Sequence, residues 1–171
     1  MCSSDLCVFL EPIALYHERD LHEPGDGGLT TAYPARDAHV PPGRARVHGD
    51  GGDLTIVSFA NGLRMSLRAA RRLERDGIRA RVVDLRWLAP LPVDDILAAA
   101  RATGRVLVVD ETRATGGVSE GVFTALVDGG YGGRMRRVTS RDSFVPLGPA
   151  AAHVLLGEQD IDRAARELLD R

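Results

Sequence analysis

The chain has 171 residues, a net charge of −2, 44% hydrophobic and 27% charged content, which fits one globular domain large enough to bury a core. The near-neutral charge argues against electrostatic binding to nucleic acid or anionic membrane, and no apolar run approaches the ~20 residues of a bilayer span. All 22 basic residues are arginine, which removes Schiff-base and P-loop lysine chemistry.

Cys2 and Cys7 have neither metal-knuckle nor redox-pair spacing, so reduced thiols and a cytoplasmic setting are expected. Met1–Cys7 carries no charged n-region or apolar core and is not a signal peptide. Val8-Phe9-Leu10-Glu11-Pro12 reads as a strand end stopped by proline, followed by a short polar-studded segment to Leu21. His22–Gly52 is rich in Gly, Pro, Asp and His without periodicity. At about 30 residues it is too long for an ordinary loop and reads as a linker. The domain divisions expected are therefore 1–21, 22–52 and 53–171.

Leu54–Ala60 reads as a strand, and Asn61 to about Asp76 as a helix with Leu63, Leu67, Ala70 and Leu73 near helical spacing. Ala80–Trp87 is an apolar strand run. Val93, Ile96, Leu97 and Ala100 mark a helix from Val93 to Thr103, with Asp94-Asp95 placed to favour its N-terminal dipole. Arg105–Glu111 is a second strand run ending at Gly116-Gly117. Strand, helix, strand and Gly-rich loop form a βαβ unit at the centre of the sheet. Ser119 is placed to cap a helix to about Asp128. A Gly-rich turn, a strand at Met135–Thr139, a short helix at Pro149–Leu156 and a final helix at Asp160–Asp170 complete the pattern. The order predicts an α/β fold: a three-layer α/β/α sandwich with a mostly parallel sheet of four to five strands.

The chemical motifs are weak. Gly25-Asp26-Gly27 and Gly49-Asp50-Gly51 echo the GDG of a thiamine diphosphate–Mg²⁺ site, but no buried strand precedes them and Asn61 is the only asparagine; they read as turns. Gly117-Val118-Ser119-Glu120-Gly121 matches G-x-S-x-G, with Asp142 and His153 following in hydrolase order. Ser119 lies eight positions after Glu111, too far for a nucleophile elbow, and His153 reads as a packing residue. His17-Glu18 and His22-Glu23 repeat at five residues, whereas a helical zinc pair needs i, i+4. No catalytic, cofactor-binding or metal residue is assigned. Asp110, Glu111, Gly116 and Gly117 lie at the carboxyl end of a parallel strand, where α/β sheets bind their ligands. Arg134, Arg136, Arg137 and Arg141 cluster on the last strand as solvated edge charges or as a surface for an acidic partner. Asp110, Glu111, Gly116, Gly117, Arg134 and Arg136 are the candidate interface residues.

Four stretches together resemble a known family. Glu11-Pro12-Ile13-Ala14-Leu15-Tyr16, Val83-Asp84-Leu85-Arg86-Trp87-Leu88-Ala89-Pro90-Leu91, Val108-Val109-Asp110-Glu111 and Gly116-Gly117-Val118-Ser119-Glu120 look like the beta subunit of the thiamine-dependent decarboxylating component of 2-oxo acid dehydrogenases. The resemblance covers residues 8–170 and is to its transketolase-type C-terminal domain, with the linker and last strand of the preceding pyrimidine-binding domain. Ser143–Ala151 looks like members with alpha and beta portions fused. Residues before Val8 do not resemble the family, as in a truncated or chimeric N-terminus. The family's GDG domain, and the glutamate that contacts the cofactor's aminopyrimidine, have no counterpart here.

The resemblance implies a parent enzyme that uses thiamine diphosphate and Mg²⁺ to decarboxylate pyruvate or a branched-chain 2-oxo acid and acylate a lipoyl arm. It implies for this chain a structural and docking role, inactive alone, in a homo- or hetero-oligomer with the alpha and beta portions and the dihydrolipoyl acyltransferase core. The competing reading is a free-standing α/β hydrolase or nucleotide-binding domain.

Overall fold

The structure, a computed structural model, describes residues 6–170. Five strands form one sheet: β1 (Arg46–His48), β2 (Leu54–Ser58), β3 (Ala80–Asp84), β4 (Arg105–Arg113) and β5 (Arg134–Ser140). Four helices surround it: α1 (Ala60–Arg75), α2 (Val93–Thr103), α3 (Val118–Asp128) and α4 (Glu158–Leu169). The spatial order is β1-β3-β2-β4-β5. β3, β2, β4 and β5 run parallel, and β1 pairs antiparallel with β3 at the edge.

All five residues of β2 are buried, as a strand covered on both faces requires. Successive side chains of the sheet point to opposite layers. Leu54 and Ile56 of β2 and Leu107 and Val109 of β4 pack with Met65, Ala69 and Leu73 of α1 and Ile161, Ala164 and Ala165 of α4. Val57, Val106 and Val108 pack in the other layer with Ile96, Leu97 and Ala100 of α2 and Val122 and Leu126 of α3. Both cores arise from the period-2 pattern of the strands meeting helical stripes. The three-layer α/β/α sandwich expected from the element order is therefore the fold observed.

Several local expectations are corrected. The centre of the sheet is β2: β3 and β4 flank it, so α2 carries the chain across β2 rather than between adjacent strands. Val8–Pro12 is not a strand; Val8, Phe9 and Leu10 are exposed and no strand among the described residues lies beside them. Ile13–Leu15 is a single 3₁₀ turn. Arg46–His48, inside the stretch read as linker, is a strand, registered through Val47 opposite Val83. Pro149–Leu156 is not an α-helix; Gly148–His153 is a 3₁₀ helix, closed by an i+3 bond from Val154 N–H to Ala151 O at 2.9 Å. His153 is exposed there rather than packed. Cys7 is a free, exposed thiol; Cys2 lies outside the described residues.

Asp95 does more than favour a helix dipole. Its two oxygens accept from Arg44 Nε and Nη2 at 2.8 and 2.9 Å, and Oδ2 also accepts from Ala45 N–H at 2.8 Å. The segment leading into β1 is thereby tied to the first turn of α2. The hydrogen bonds from Arg44 hold the Asp95 carboxyl below its ordinary range. A carboxyl with a depressed folded value stabilises the protein above its unfolded value, roughly pH 4, and loses that contribution as pH falls through the folded one. Asp95→Asn should therefore cost about 1 kcal/mol at neutral pH, since Arg44 is largely solvated. Urea melts across the acid range should show the gap between variant and wild type closing as the carboxyl protonates.

Candidate functional site

The carboxyl edge of the sheet is where the strand order reverses. β2 leads through α1 to β3 on one side, and β4 leads through α3 to β5 on the other. The crevice between the ends of β2 and β4 is the position at which doubly wound sheets present their functional groups.

On the β2 side the chain enters α1 through Ala60, whose φ is 50°, a left-handed conformation costly for a residue with a Cβ. This turn brings Asn61 over the end of β4. Asn61 Nδ2 donates to Glu111 Oε1 at 2.7 Å, and Asn61 Oδ1 accepts from Arg64 Nε at 3.2 Å. Arg64 Nη1 lies 3.2 Å from Glu18 Oε2. Ser58 Oγ donates to Val109 O at 2.8 Å beneath them. The network joins the N-terminal segment, α1 and β4 in one chain of polar contacts.

On the β4 side Asp110 is fully buried. Its Oδ1 accepts from Thr112 N–H at 2.9 Å and Thr112 Oγ1 at 2.7 Å, and its Oδ2 accepts from Ser119 N–H at 2.8 Å. The N-cap of α3 is Gly117, not Ser119. A glycine has no side chain with which to satisfy the first turn, so Asp110 supplies that acceptor from the neighbouring strand. The loop between them is held from outside as well. Asp142 accepts from Thr115 N–H and Oγ1 at 3.0 and 2.6 Å, and these bonds hold its carboxyl below the ordinary range. Arg137 Nη1 donates to Ala114 O at 2.9 Å, and Gly116 N–H donates to Glu120 Oε2 at 3.0 Å.

Four of the six candidate interface residues, Asp110, Glu111, Gly116 and Gly117, thus meet at this edge. Of these, Asp110 is enclosed, Glu111 and Gly117 are half-buried, and Gly116 is exposed. Arg134 and Arg136 lie at the opposite, amino-terminal end of β5, in register with Arg105 and Leu107. Arg64 carries no sequence signal, and Asn61 and Glu18 enter the sequence reading as site candidates only through the GDG and His-Glu motifs; their place in this network comes from long-range pairing alone.

The chemistry of this edge is positioning. Ser119 Oγ is buried without a hydrogen-bond partner, Asp142 is engaged with Thr115 and His153 stands exposed on the 3₁₀ helix. No hydrogen bond joins any two of these three, so the G-x-S-x-G match does not form a nucleophilic triad. No group of three or more His, Cys, Asp or Glu among the described residues is arranged to hold a metal ion. In the first GDG, Asp26 accepts backbone N–H bonds from Leu21, His22, Glu23 and Gly28, so both carboxyl oxygens serve their own turn. These residues do not fit a thiamine diphosphate–Mg²⁺ group.

Two segments carry large apolar side chains that face solvent. Phe144 and Leu147 are 97% and 96% exposed, and Phe9 and Ile13 of the N-terminal segment are 85% and 78% exposed. Where such side chains lie together they mark surfaces that another protein surface covers. Among the described residues, no helix is long and apolar enough to cross a membrane.

A doubly wound α/β domain with a braced carboxyl edge and apolar flanks is the class of protein these features define. The chain belongs to the transketolase C-terminal domain family, whose model matches residues 43–162. It is similar to the pyruvate dehydrogenase E1 component subunit beta of Bacillus subtilis (strain 168), with 32% identity over 170 residues, covering 98% of this chain and 49% of that one. The same subunit of Staphylococcus aureus (strain Mu50 / ATCC 700699) is 31% identical over 171 residues, covering 98% and 50%. The chain spans about half the length of these curated relatives. A solved split-gene transketolase, described as an inactive beta4 tetramer, superposes with a TM-score of 0.71 at 30% identity, covering 82% of this chain and 46% of that one. A 2-oxoglutarate:ferredoxin oxidoreductase from Magnetococcus marinus shares the fold at 18% identity, with a TM-score of 0.56, covering 74% and 20%.

Proposed function

We propose that this chain is the subunit-association and docking domain of a thiamine-dependent 2-oxo acid dehydrogenase. The observation that carries the reading is the solvent-facing apolar set Phe9, Ile13, Phe144 and Leu147 on a chain that aligns with half of an E1 beta subunit. Large apolar side chains exposed together mark surfaces that a partner covers. The partners are the alpha and beta portions of the same dehydrogenase and its dihydrolipoyl acyltransferase core. The substrate of the assembled enzyme is pyruvate or a branched-chain 2-oxo acid. Residues 1–21 and 22–52 act as an N-terminal remnant and linker, with β1 lent by the linker to the sheet, and 53–171 forms the domain proper.

Thiamine diphosphate with Mg²⁺ would supply carbanion stabilisation in the parent enzyme, held by residues outside this chain. The solved split-gene relative, described as an inactive tetramer of its beta portion, supports an oligomer without turnover. Decarboxylation of 2-oxo acids by this chain alone should read zero with thiamine diphosphate and Mg²⁺ added. Co-purification with the thiamine-binding portion of the same dehydrogenase should succeed. Phe144→Asp with Leu147→Asp should weaken that association at least tenfold without moving the melting temperature. Turnover by the chain alone, or unchanged association of the double variant, refutes the reading.

A further inference from the structure

β5 is the exposed edge of the sheet, seven residues long and paired on one side only, with β4. A cleft of about 580 Å³ runs beside it, between the strand, residues 152–156 and the start of α4. Four consecutive β5 residues, 136 to 139, line this cleft. Side chains of a strand alternate between its two faces, so a run of consecutive lining residues places the cleft along the strand's backbone edge rather than over one face. The outward N–H and C=O groups of an edge strand are unpaired and open to a further strand. Residues 152–156 cross only the far end, where Arg141 N–H donates to Val154 O at 3.0 Å and Leu156 N–H to Ser140 Oγ at 3.1 Å.

The charge of the cleft is one-sided. Arg136, Arg137, Arg141, Arg163 and His153 line it against the single acidic side chain of Asp160. Arg136 is engaged by Glu167, and Arg163 by Asp160 at 2.5 Å. Arg141 has no carboxylate within 4.0 Å among the described residues. A second copy of this chain is a poor occupant. Two-fold antiparallel pairing centred on Arg136 or Arg137 sets that arginine against its own copy, and like charges directly opposite destabilise a sheet.

We infer that the β5 edge is a docking groove for an extended acidic peptide segment, which adds as a sixth strand and sets its carboxylates against Arg141, Arg163 and Arg136. Backbone pairing gives the segment its hold, and the arginines select its charge. This surface adjoins the braced loop, since Arg137 lines the cleft and also donates to Ala114 O, but the proposal stands whether or not the chain works within a dehydrogenase.

The test uses the full chain and a fluorescein-labelled eight-residue peptide alternating glutamate and threonine, read by anisotropy. A control peptide of the same charge carries proline at the threonine positions, which removes alternate N–H donors. Saturable binding of the first peptide, at least tenfold weaker for the proline peptide and weakening with added salt, is the expected result. Arg141→Glu with Arg163→Glu should lose binding at least tenfold while keeping the far-UV melt of wild type. If the pair fails to fold, Arg141→Ala alone, at an exposed position without an ion pair, should weaken binding about threefold. Equal binding of both peptides would reduce the groove to a charge effect and overturn the proposal. So would unchanged binding by the variants, no saturable binding, or a protein dimer that excludes the peptide.

Discussion

Gly117→Ala is expected to be among the most damaging small substitutions in the chain. A Cβ at this position would lie 2.6 Å from Thr112 Oγ1 and 2.8 Å from both Arg113 O and Asp110 Oδ2. Its φ of −84° and ψ of 166° suit any residue, so the demand is for space and not for a special conformation. Gly116, one residue earlier, has the reverse demand: its φ is 73°, yet nothing lies within 4 Å of a Cβ there. At Gly117 two of the three obstructing atoms belong to the groups that hold the loop and cap α3, and the third is a backbone carbonyl. Relief requires the loop to swing off Asp110. Overpacking of this kind costs about 3 kcal/mol, which at this chain length corresponds to a melting temperature lower by roughly 6–12 °C. Gly116→Ala should cost about 1 kcal/mol through backbone strain alone. Thermal melts of the two variants distinguish the mechanisms. If Gly117→Ala melts with the wild type, the tight packing of this loop is refuted.

The same loop shows which parts of the molecule could be read from the amino acids. β2 and β4 announce themselves because both faces are covered, β4 through the unbroken run Val106–Val109 and β2 through Leu54, Ile56 and Val57. The helices do so because their buried stripes repeat at helical spacing, as with Ile161, Ala164, Ala165 and Leu168 of α4. β1 left no such mark: two of its three residues are exposed, and it exists because Arg44 and Ala45 are anchored on Asp95 from fifty residues away. Val8–Leu10 has the opposite character, a strand composition without a strand partner. At the carboxyl edge, the position of Glu111 followed from the strand assignment, but its partner Asn61 did not, because no local spacing encodes a contact across fifty residues. Ser119 was the natural cap by residue type. The sign of a different arrangement was the glycine pair ahead of the helix, which leaves the first turn without a local acceptor and calls for one from elsewhere.

The acceptor supplied from elsewhere makes Asp110→Ala the second large effect. Three donors converge on this buried side chain, and two of them are backbone N–H groups, Thr112 and Ser119. Ser119 is itself fully buried, so its N–H has no solvent to turn to. Leaving a buried donor unpaired costs about 1–3 kcal/mol, and loss of a helix cap about 1 kcal/mol. A total of roughly 2–3 kcal/mol follows, since the cap and the unpaired Ser119 N–H are partly the same loss. Asp110→Asn tests the orientation of the bonds. If its amide oxygen serves Thr112, its NH₂ faces the Ser119 N–H, donor against donor, and the substitution should still cost about 1–3 kcal/mol. Hydrogen exchange at Ser119 should accelerate in both variants, while exchange in β2 and in the Leu73 core changes only with global stability. Because Gly117 and Asp110 act on one joint, the double variant Asp110→Ala, Gly117→Ala should fall short of the sum of the two by about 1 kcal/mol or more. Strict additivity would mean that the cap and the packing of the loop are separate devices, and the single joint described here would be wrong.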